Sequence, residues 1–217
     1  MEESTTREKV LKKIRAALLS KTTNPYPRID HDTSVYATGD DDSLLVFAEQ
    51  LTEAGGAFVL CKDDLEFVEA IIKLADQYKW KNFYCCEKGL STLLNNCAFN
   101  HTTEFSAASK ADVVISSCEC LIARTGTVVF SSQQNTRLAQ TAAPVQIVFA
   151  RASQLAYEIK DAVHWLRHKY SKLPSNITFS TGASRVINLG GETVSGAHTI
   201  QQLYVFLIDD TEFGETE

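Results

Sequence analysis

The sequence predicts an α/β domain built on a mainly parallel sheet with helices on both faces, preceded by a helical extension. Two observations carry this. From Ser43 onward, apolar runs of strand length alternate with segments of helical period, and glycine or proline punctuates the junctions. With 217 residues and 24.0 kDa, the chain is large enough to bury a substantial core yet within the range of one such domain.

Each element follows from its own residues. Thr6 to Leu19 sets Val10, Leu11, Ile14, Ala17 and Leu18 at helical spacing, leaves Arg7, Lys12, Lys13 and Arg15 for water, and offers Ser4 or Thr5 as a cap. Lys21 to Asp42 carries Pro25, Pro27, Gly39 and three consecutive aspartates, so it reads as a connector wrapping over the main domain. Residues 1–40 are accordingly read as N-terminal helix and connector, and 41–217 as the α/β domain. Within the latter, Ser43 to Glu53 is a helix stopped by Gly55-Gly56, Ala57 to Cys61 a strand, Asp64 to Tyr78 a helix, Asn82 to Cys86 a strand and Gly89 to Asn96 a short helix. Val113 to Ser116, Thr127 to Phe130 and Val145 to Ala150 follow as strands, and Ser153 to Tyr170 as the longest helix. Ile177 to Ser180 and Leu203 to Ile208 return to β structure.

Composition excludes several classes of function. A formal charge of −6 and a pI near 5.4 argue against a nucleic-acid surface, which needs clustered Lys and Arg. No apolar run is long enough to cross a bilayer, and the first residues resemble no export signal, so a cytoplasmic location is expected. The six cysteines are expected as thiols, most of them small core residues. Cys85-Cys86 is adjacent, Cys118 and Cys120 are one residue apart, and Cys61 and Cys97 stand alone, which is not the spacing of a zinc or iron–sulfur site. Cys118 and Cys120 lie near a proposed turn where oxidation could act, without a flanking cation that would make either a thiolate. His164 and His168 share a helical face but lack the glutamate of a zinc-protease motif, and a solvated face is expected. Gly190-Gly191 lacks the further glycine or lysine of a nucleotide loop, and no serine sits in a nucleophile elbow.

Chemistry points instead to two stretches, Ala111 to Ser131 and Gly182 to Asp209, each joining a β-rich apolar segment to a glycine-bearing turn of small hydroxyl residues. Such turns bring backbone N–H groups close to an anion. Parallel sheets bind ligands at the carboxyl ends of their strands, and the turns at Thr125-Gly126 and Gly182–Arg185 are the candidates for that location.

Ala123 to Val129, Ala-Arg-Thr-Gly-Thr-Val-Val, resembles the Ala-(Glu/Asp)-Thr-Gly-(Thr/Ser)-(Leu/Val)-Val element of the lactate-utilisation (LUD) domain family, in particular its protein C group. The helix from Arg7 to Leu18, the strand Ala143-Pro144-Val145-Gln146-Ile147-Val148, and the Gly182-Ala183-Ser184 and Gly196-Ala197-His198 turns resemble further elements in the same order. The resemblance implies the three-layer, mainly parallel sheet of the NagB/RpiA/CoA-transferase-like group, shared with 5-formyltetrahydrofolate cyclo-ligase, and by analogy a pocket for a carboxylate or phosphate. Two departures stand out. Arg124 replaces the family's acid before Thr-Gly, which disfavours a cation there, and Val186-Ile187-Asn188-Leu189-Gly190 lacks two carboxylates of the family pattern.

The ligand-binding candidates are therefore Thr125, Gly126, Gly182, Ser184, Arg185, Asn188, Gly196 and His198, with no catalytic residue assigned. Arg185 is suited either to a bidentate anion contact or to a surface ion pair, and His198 either to acid–base work or to fixing a turn. The resemblance implies an accessory protein of an iron–sulfur system that oxidises L-lactate to pyruvate, with no intrinsic cofactor and the clusters held by partner subunits. The N-terminal helix then docks on a partner, a second copy or its own domain. A stand-alone enzyme of cyclo-ligase or sugar-phosphate-isomerase type and a small-acid sensor are the alternatives.

Overall fold

The computed structural model describes residues 6–19, 42–134, 143–183, 185–187, 193–195 and 200–210. The chain divides into two units, Met1–Asp40 and Asp41–Glu217. In the first unit, α1 (Thr6–Leu19) is the helix the sequence predicts, and its apolar side chains Val10, Leu11, Ile14 and Leu18 are exposed. Ser4 and Thr5 lie outside the described residues.

The second unit opens with α2 (Ser43–Glu53), capped by the Asp42 carboxylate accepting from Leu44 N at 3.0 Å. It continues with β1 (Ala57–Cys61), α3 (Asp64–Tyr78), β2 (Phe83–Tyr84), α4 (Lys88–Asn96), α5 (Phe105–Ala108), β3 (Val113–Ser117), β4 (Cys120–Ile122), β5 (Thr127–Ser131), β6 (Val145–Arg151) and β7 (Leu155–Ala156). The remaining elements are α6 (Ile159–Lys169), β8 (Ile177–Ser180), β9 (Arg185–Ile187), β10 (Thr193–Ser195) and β11 (Gln202–Ile208).

Five strands form an all-parallel sheet in the order β1-β11-β6-β3-β2. Their apolar runs are continuous because both faces are buried. Along β6, Val145, Ile147 and Phe149 face α3 and α4, where Phe67, Val68, Ile71, Leu90 and Leu94 meet them. Phe67 sits edge-on to both Phe149 and Phe206, at 4.9 and 5.3 Å between ring centroids. Helix α3 holds this position because Asp63 caps its start, accepting from Glu66 N at 2.8 Å, and Lys79 ends it in the left-handed conformation.

The opposite face of the parallel sheet carries Val148, Ala150, Leu203, Val205 and Leu207. These pack on Leu121, Val128 and Phe130 of a second sheet and on Phe47 and Leu51 of α2. The second sheet has the order β7-β4-β5-β8, with β4–β5 and β5–β8 antiparallel and β4–β7 parallel. Its outer face, Cys120, Ile122 and Val129, is covered by Ala162 and Leu166 of α6. The β9–β10 hairpin pairs separately.

The mainly parallel α/β character is as the sequence predicts, but helices α3 and α4 cover only one face, and the second sheet with α2 covers the other. Further differences lie in local elements. The expected helix over Ser153 to Tyr170 is a 3₁₀ turn at Ala152–Gln154, the strand β7 and then the eleven residues of α6, so α3, with fifteen, is longer. Leu155 and Ala156 pair with Leu121 and Ile122 of β4, a tertiary partner that local periodicity does not reveal. The expected strand Asn82 to Cys86 shortens to Phe83–Tyr84, because Asn82 is held instead by the Asp112 carboxylate and Cys85 N turns to Thr102 O.

Candidate functional site

The connections of the parallel sheet fix where its carboxyl edge opens. After β1 and β2 the chain passes to α3 and α4 on one face, and after β3 and β6 it passes to the second sheet on the other. Neighbouring strands whose connections leave in opposite directions flank a crevice. One such place lies between β2 and β3, and the other between β1 and β6 across β11.

Glu87 sits in the first crevice, just past β2, and Ser117 faces it from the end of β3. The Glu87 oxygens lie 3.0 and 3.1 Å from Ser117 N, which donates to them, and Ser117 Oγ donates as well. Burial nevertheless raises the Glu87 carboxyl above its ordinary value of 4.5, the Ser117 bonds offset this only in part, and the charge of Glu119 adds to it. Burial also pushes the Cys85 thiol to about 12 and the Cys118 thiol well above its usual range, so neither is primed as a thiolate nucleophile.

The shift at Glu87 has a definite sign. A carboxyl whose folded pKa exceeds its unfolded value stabilises most below the unfolded value, and that contribution is lost as pH rises through the folded one. Glu87→Gln, which keeps an oxygen acceptor for Ser117 and removes the charge, is expected to be more favourable to stability at pH 8 than at pH 4. Urea midpoints at the two pH values check this, and an equal effect at both would contradict it.

Behind Glu87 lies a fully buried carboxylate, Glu119. Lys169 Nζ donates to Oε2 and Tyr170 OH to Oε1, both at 2.7 Å, and Ser131 Oγ also donates to Oε1. Gln154 Nε2 donates to the carbonyl oxygens of Cys118 and Glu119 at 2.8 and 3.3 Å. Burial pulls the Lys169 ammonium down, but the hydrogen bond and charge of Glu119 outweigh it and leave the group raised; Tyr170 is raised by burial and then by Glu119. The network ties β5 and α6 to the junction of β3 with β4.

In the second crevice, Lys62, Asp63, Asp64, Leu65, Arg151, Ile208, Asp209 and Asp210 line a cavity of about 310 Å³. Most of its charges are engaged. Asp63 caps α3, Arg151 Nη2 lies 3.6 Å from Asp64 Oδ1, and Ser153 donates from N and Oγ to Asp210 at 2.8 and 2.7 Å. Burial alone would raise Asp210, but the Ser153 bonds hold it below its ordinary value. Four aspartates against one lysine and one arginine disfavour a simple anion here.

The residues predicted from sequence occupy a different place. Thr125 and Gly126 lie in the turn between β4 and β5, and Gly182 follows β8, so these turns belong to the second sheet and not to the carboxyl edge of the parallel one, a correction to their expected location. They do meet: Thr127 Oγ1 lies 2.7 Å from Thr125 Oγ1 and 2.6 Å from Thr181 Oγ1. Both glycines, with φ of 58° and 80°, are pressed against the end of α2, where a Cβ on Gly126 would stand 2.2 Å from Leu51 N and one on Gly182 would stand 2.4 Å from Ala54 O. Arg124 pairs with Glu158 at 3.2 Å. The backbone of Arg185 pairs with Ser195 in the β9–β10 hairpin, while Ser184, Asn188, Gly196 and His198 lie outside the described residues. All six cysteines are thiols, four of them buried, His164 and His168 are exposed, and among the described residues no group of three His, Cys, Asp or Glu side chains could hold a metal ion.

Sequence reasoning missed Glu87, Glu119, Lys169 and Tyr170. A signal existed for Glu119, a lone charge within the apolar run from Val113 to Ile122 that demands a buried partner. Gln146 gave a similar signal: it is buried on β6, donates to Ser116 Oγ at 3.1 Å, and its Oε1 has no partner.

An all-parallel sheet backed by a second, mostly antiparallel sheet defines an α/β protein with crevices along one edge of the parallel sheet. The LUD domain family model matches residues 95–208, from the end of α4 to β11, and the chain belongs to the LUD domain family. The fold is similar to the crystal structure of a DUF162 family protein from Deinococcus radiodurans, with a TM-score of 0.57 and 18% sequence identity over 76% of this chain and 96% of that one. No curated protein matches the chain. Among the described residues, no helix is long and apolar enough to cross a membrane.

Proposed function

We propose that this chain serves lactate utilisation as a cytoplasmic, non-redox component that binds a small carboxylate or phosphate and works beside partner subunits carrying iron–sulfur clusters. Membership of the LUD domain family supports the involvement in lactate utilisation. The observation that favours a ligand-binding role is the convergence of the two glycine turns through the Thr125–Thr127–Thr181 hydroxyl chain. With Gly126 and Gly182 committed to packing on α2, the ligand contacts in this reading fall to Ser184, Arg185, Asn188, Gly196 and His198. The exposed apolar stripe of α1 suits docking on a partner subunit or a second copy of the chain.

The test is L-lactate oxidation in extracts of a strain lacking the chain, with purified wild type, Ser184→Ala or His198→Ala added back. Loss that wild type restores and the variants do not is the expected result. Unchanged oxidation without the chain overturns the reading. A second reading, a stand-alone enzyme, is favoured by one observation: Glu87 is a carboxyl in a crevice of the sheet, held by Ser117 and raised by burial above its ordinary value, a placement suited to general acid–base work. Turnover of a phosphorylated or carboxylated substrate by the purified chain, abolished in Glu87→Gln, distinguishes it.

A further inference from the structure

A second cavity, far from the predicted turns in sequence, has the opposite electrostatic character to the aspartate-lined crevice. It encloses about 420 Å³ and is lined by Lys81, Asn82, Phe83, Asn100, His101, Thr102, Ala107 and Lys110. No carboxylate lines it, although the chain as a whole carries a formal charge of −6. Two acids lie two residues from lining residues, Glu104 and Asp112, and neither lines the cavity. Asp112 is spent: its Oδ2 accepts from Lys81 N and Asn82 N at 2.9 Å each and from Asn82 Nδ2 at 3.2 Å. Among the described residues, neither Lys81 nor Lys110 forms an ion pair.

The walls are fixed by the fold. Thr102 N donates to Phe83 O at 2.8 Å and Cys85 N to Thr102 O at 3.0 Å, so the segment carrying Asn100 and His101 runs along the edge strand β2. His101 is pinned at both ring nitrogens, Nδ1 lying 3.0 Å from Phe99 O and Nε2 2.7 Å from Ser91 Oγ. A carbonyl only accepts, so Nδ1 carries a proton, and with both ring nitrogens engaged the imidazole serves as wall. Thr102 Oγ1 accepts from Glu104 N at 3.3 Å, which leaves its own hydrogen to donate.

We infer that this cavity binds a phosphate monoester of a small metabolite, with Lys81 and Lys110 supplying the charge and Asn100 and Thr102 supplying neutral donors. Lysine is a compact point charge suited to a phosphate dianion, and two of them around a cavity without carboxylates discriminate against cations and neutral sugars. The volume falls within the range of metabolite pockets, about 300–1,000 Å³, and exceeds what a three-carbon acid alone needs. The backbone at Lys81 and Asn82 and the His101 wall are already held, so binding chiefly orders the two lysine side chains. The site is separate from the Thr125 and Gly182 turns, so it stands or falls independently of the lactate reading.

The experiment is a titration of the full chain with glycerol 3-phosphate and with inorganic phosphate in phosphate-free buffer, followed by ³¹P NMR, with glycerol and L-lactate as comparison ligands. Saturable binding of glycerol 3-phosphate is expected, weakened by added salt. Lys81→Ala and Lys110→Ala should each weaken it about threefold, and the double variant about tenfold or more. Lys62→Ala, in the other cavity, should leave it unchanged. Both lysines are exposed, so the variants should unfold like wild type, and urea curves check this. Absence of saturation, equal binding by the folded double variant, or L-lactate binding as tightly as the phosphate monoester would overturn the assignment.

Discussion

Gly126→Ala is expected to destabilise the domain by about 3 kcal/mol or more, a loss visible as a large drop in the urea midpoint. Two costs coincide there. Gly126 has φ of 58°, a conformation that charges alanine a backbone penalty. The added Cβ would also lie 2.2 Å from Leu51 N, 2.5 Å from the Gln50 carbonyl carbon and 2.7 Å from Leu51 Cα. These are backbone atoms of α2 and cannot rotate away, so the helix itself must shift, taking the fully buried Leu51 and Phe47 out of register with the core between the sheets. Gly89→Ala is the control, since a Cβ there meets nothing within 4 Å and the residue lies near the start of α4. It should be neutral or stabilising by up to about 1 kcal/mol. A Gly126→Ala chain as stable as wild type would mean that α2 does not pack on this turn as described.

Glu119→Ala is expected to cost about 3–5 kcal/mol, the range for breaking a buried charge pair from one side. The carboxylate is fully buried and accepts from Lys169, Tyr170 and Ser131. Its removal leaves the two hydroxyls without their acceptor and a cavity between β5 and α6. Lys169, whose side chain is 38% exposed, can turn toward water and limit the loss on its side. Lys169→Met therefore probes the reverse case, a carboxylate left buried with hydroxyl partners only. Circular dichroism melts of the two variants measure both, and shifts below 1 kcal/mol for Glu119→Ala would show that the network contributes little.

Elements held by their own residues were legible in the sequence. Helix α3 reads directly from its Asp63 cap and from Phe67, Val68 and Ile71 at core spacing, and β1 and β8 are bounded by turn residues. What stayed hidden depends on partners distant along the chain. Nothing local in Leu155-Ala156 announces a strand, because β4 alone makes it one. The assignment of β4, β5 and β8 to a second sheet likewise follows from which backbone edges meet. At the candidate site, glycine and threonine marked Thr125-Gly126 and Gly182 as special, but the cause proved to be close packing on α2. Glu87 and Ser117, thirty residues apart, gave no joint signal because their relation exists only once β2 lies beside β3.

The order of the parallel sheet has a consequence for how the chain is made. Strand β11 fills the position between β1 and β6, and among the described residues β1 has no other neighbour in the sheet. During synthesis β1 leaves the ribosome early and waits, with its edge unpaired, until residues 202–208 arrive to bridge it to the rest. Such long-range closure makes folding slow and nearly all-or-none. Nascent chains stalled before β11 should accordingly be sensitive to protease and dependent on chaperones, whereas those extended past it become resistant in a single step.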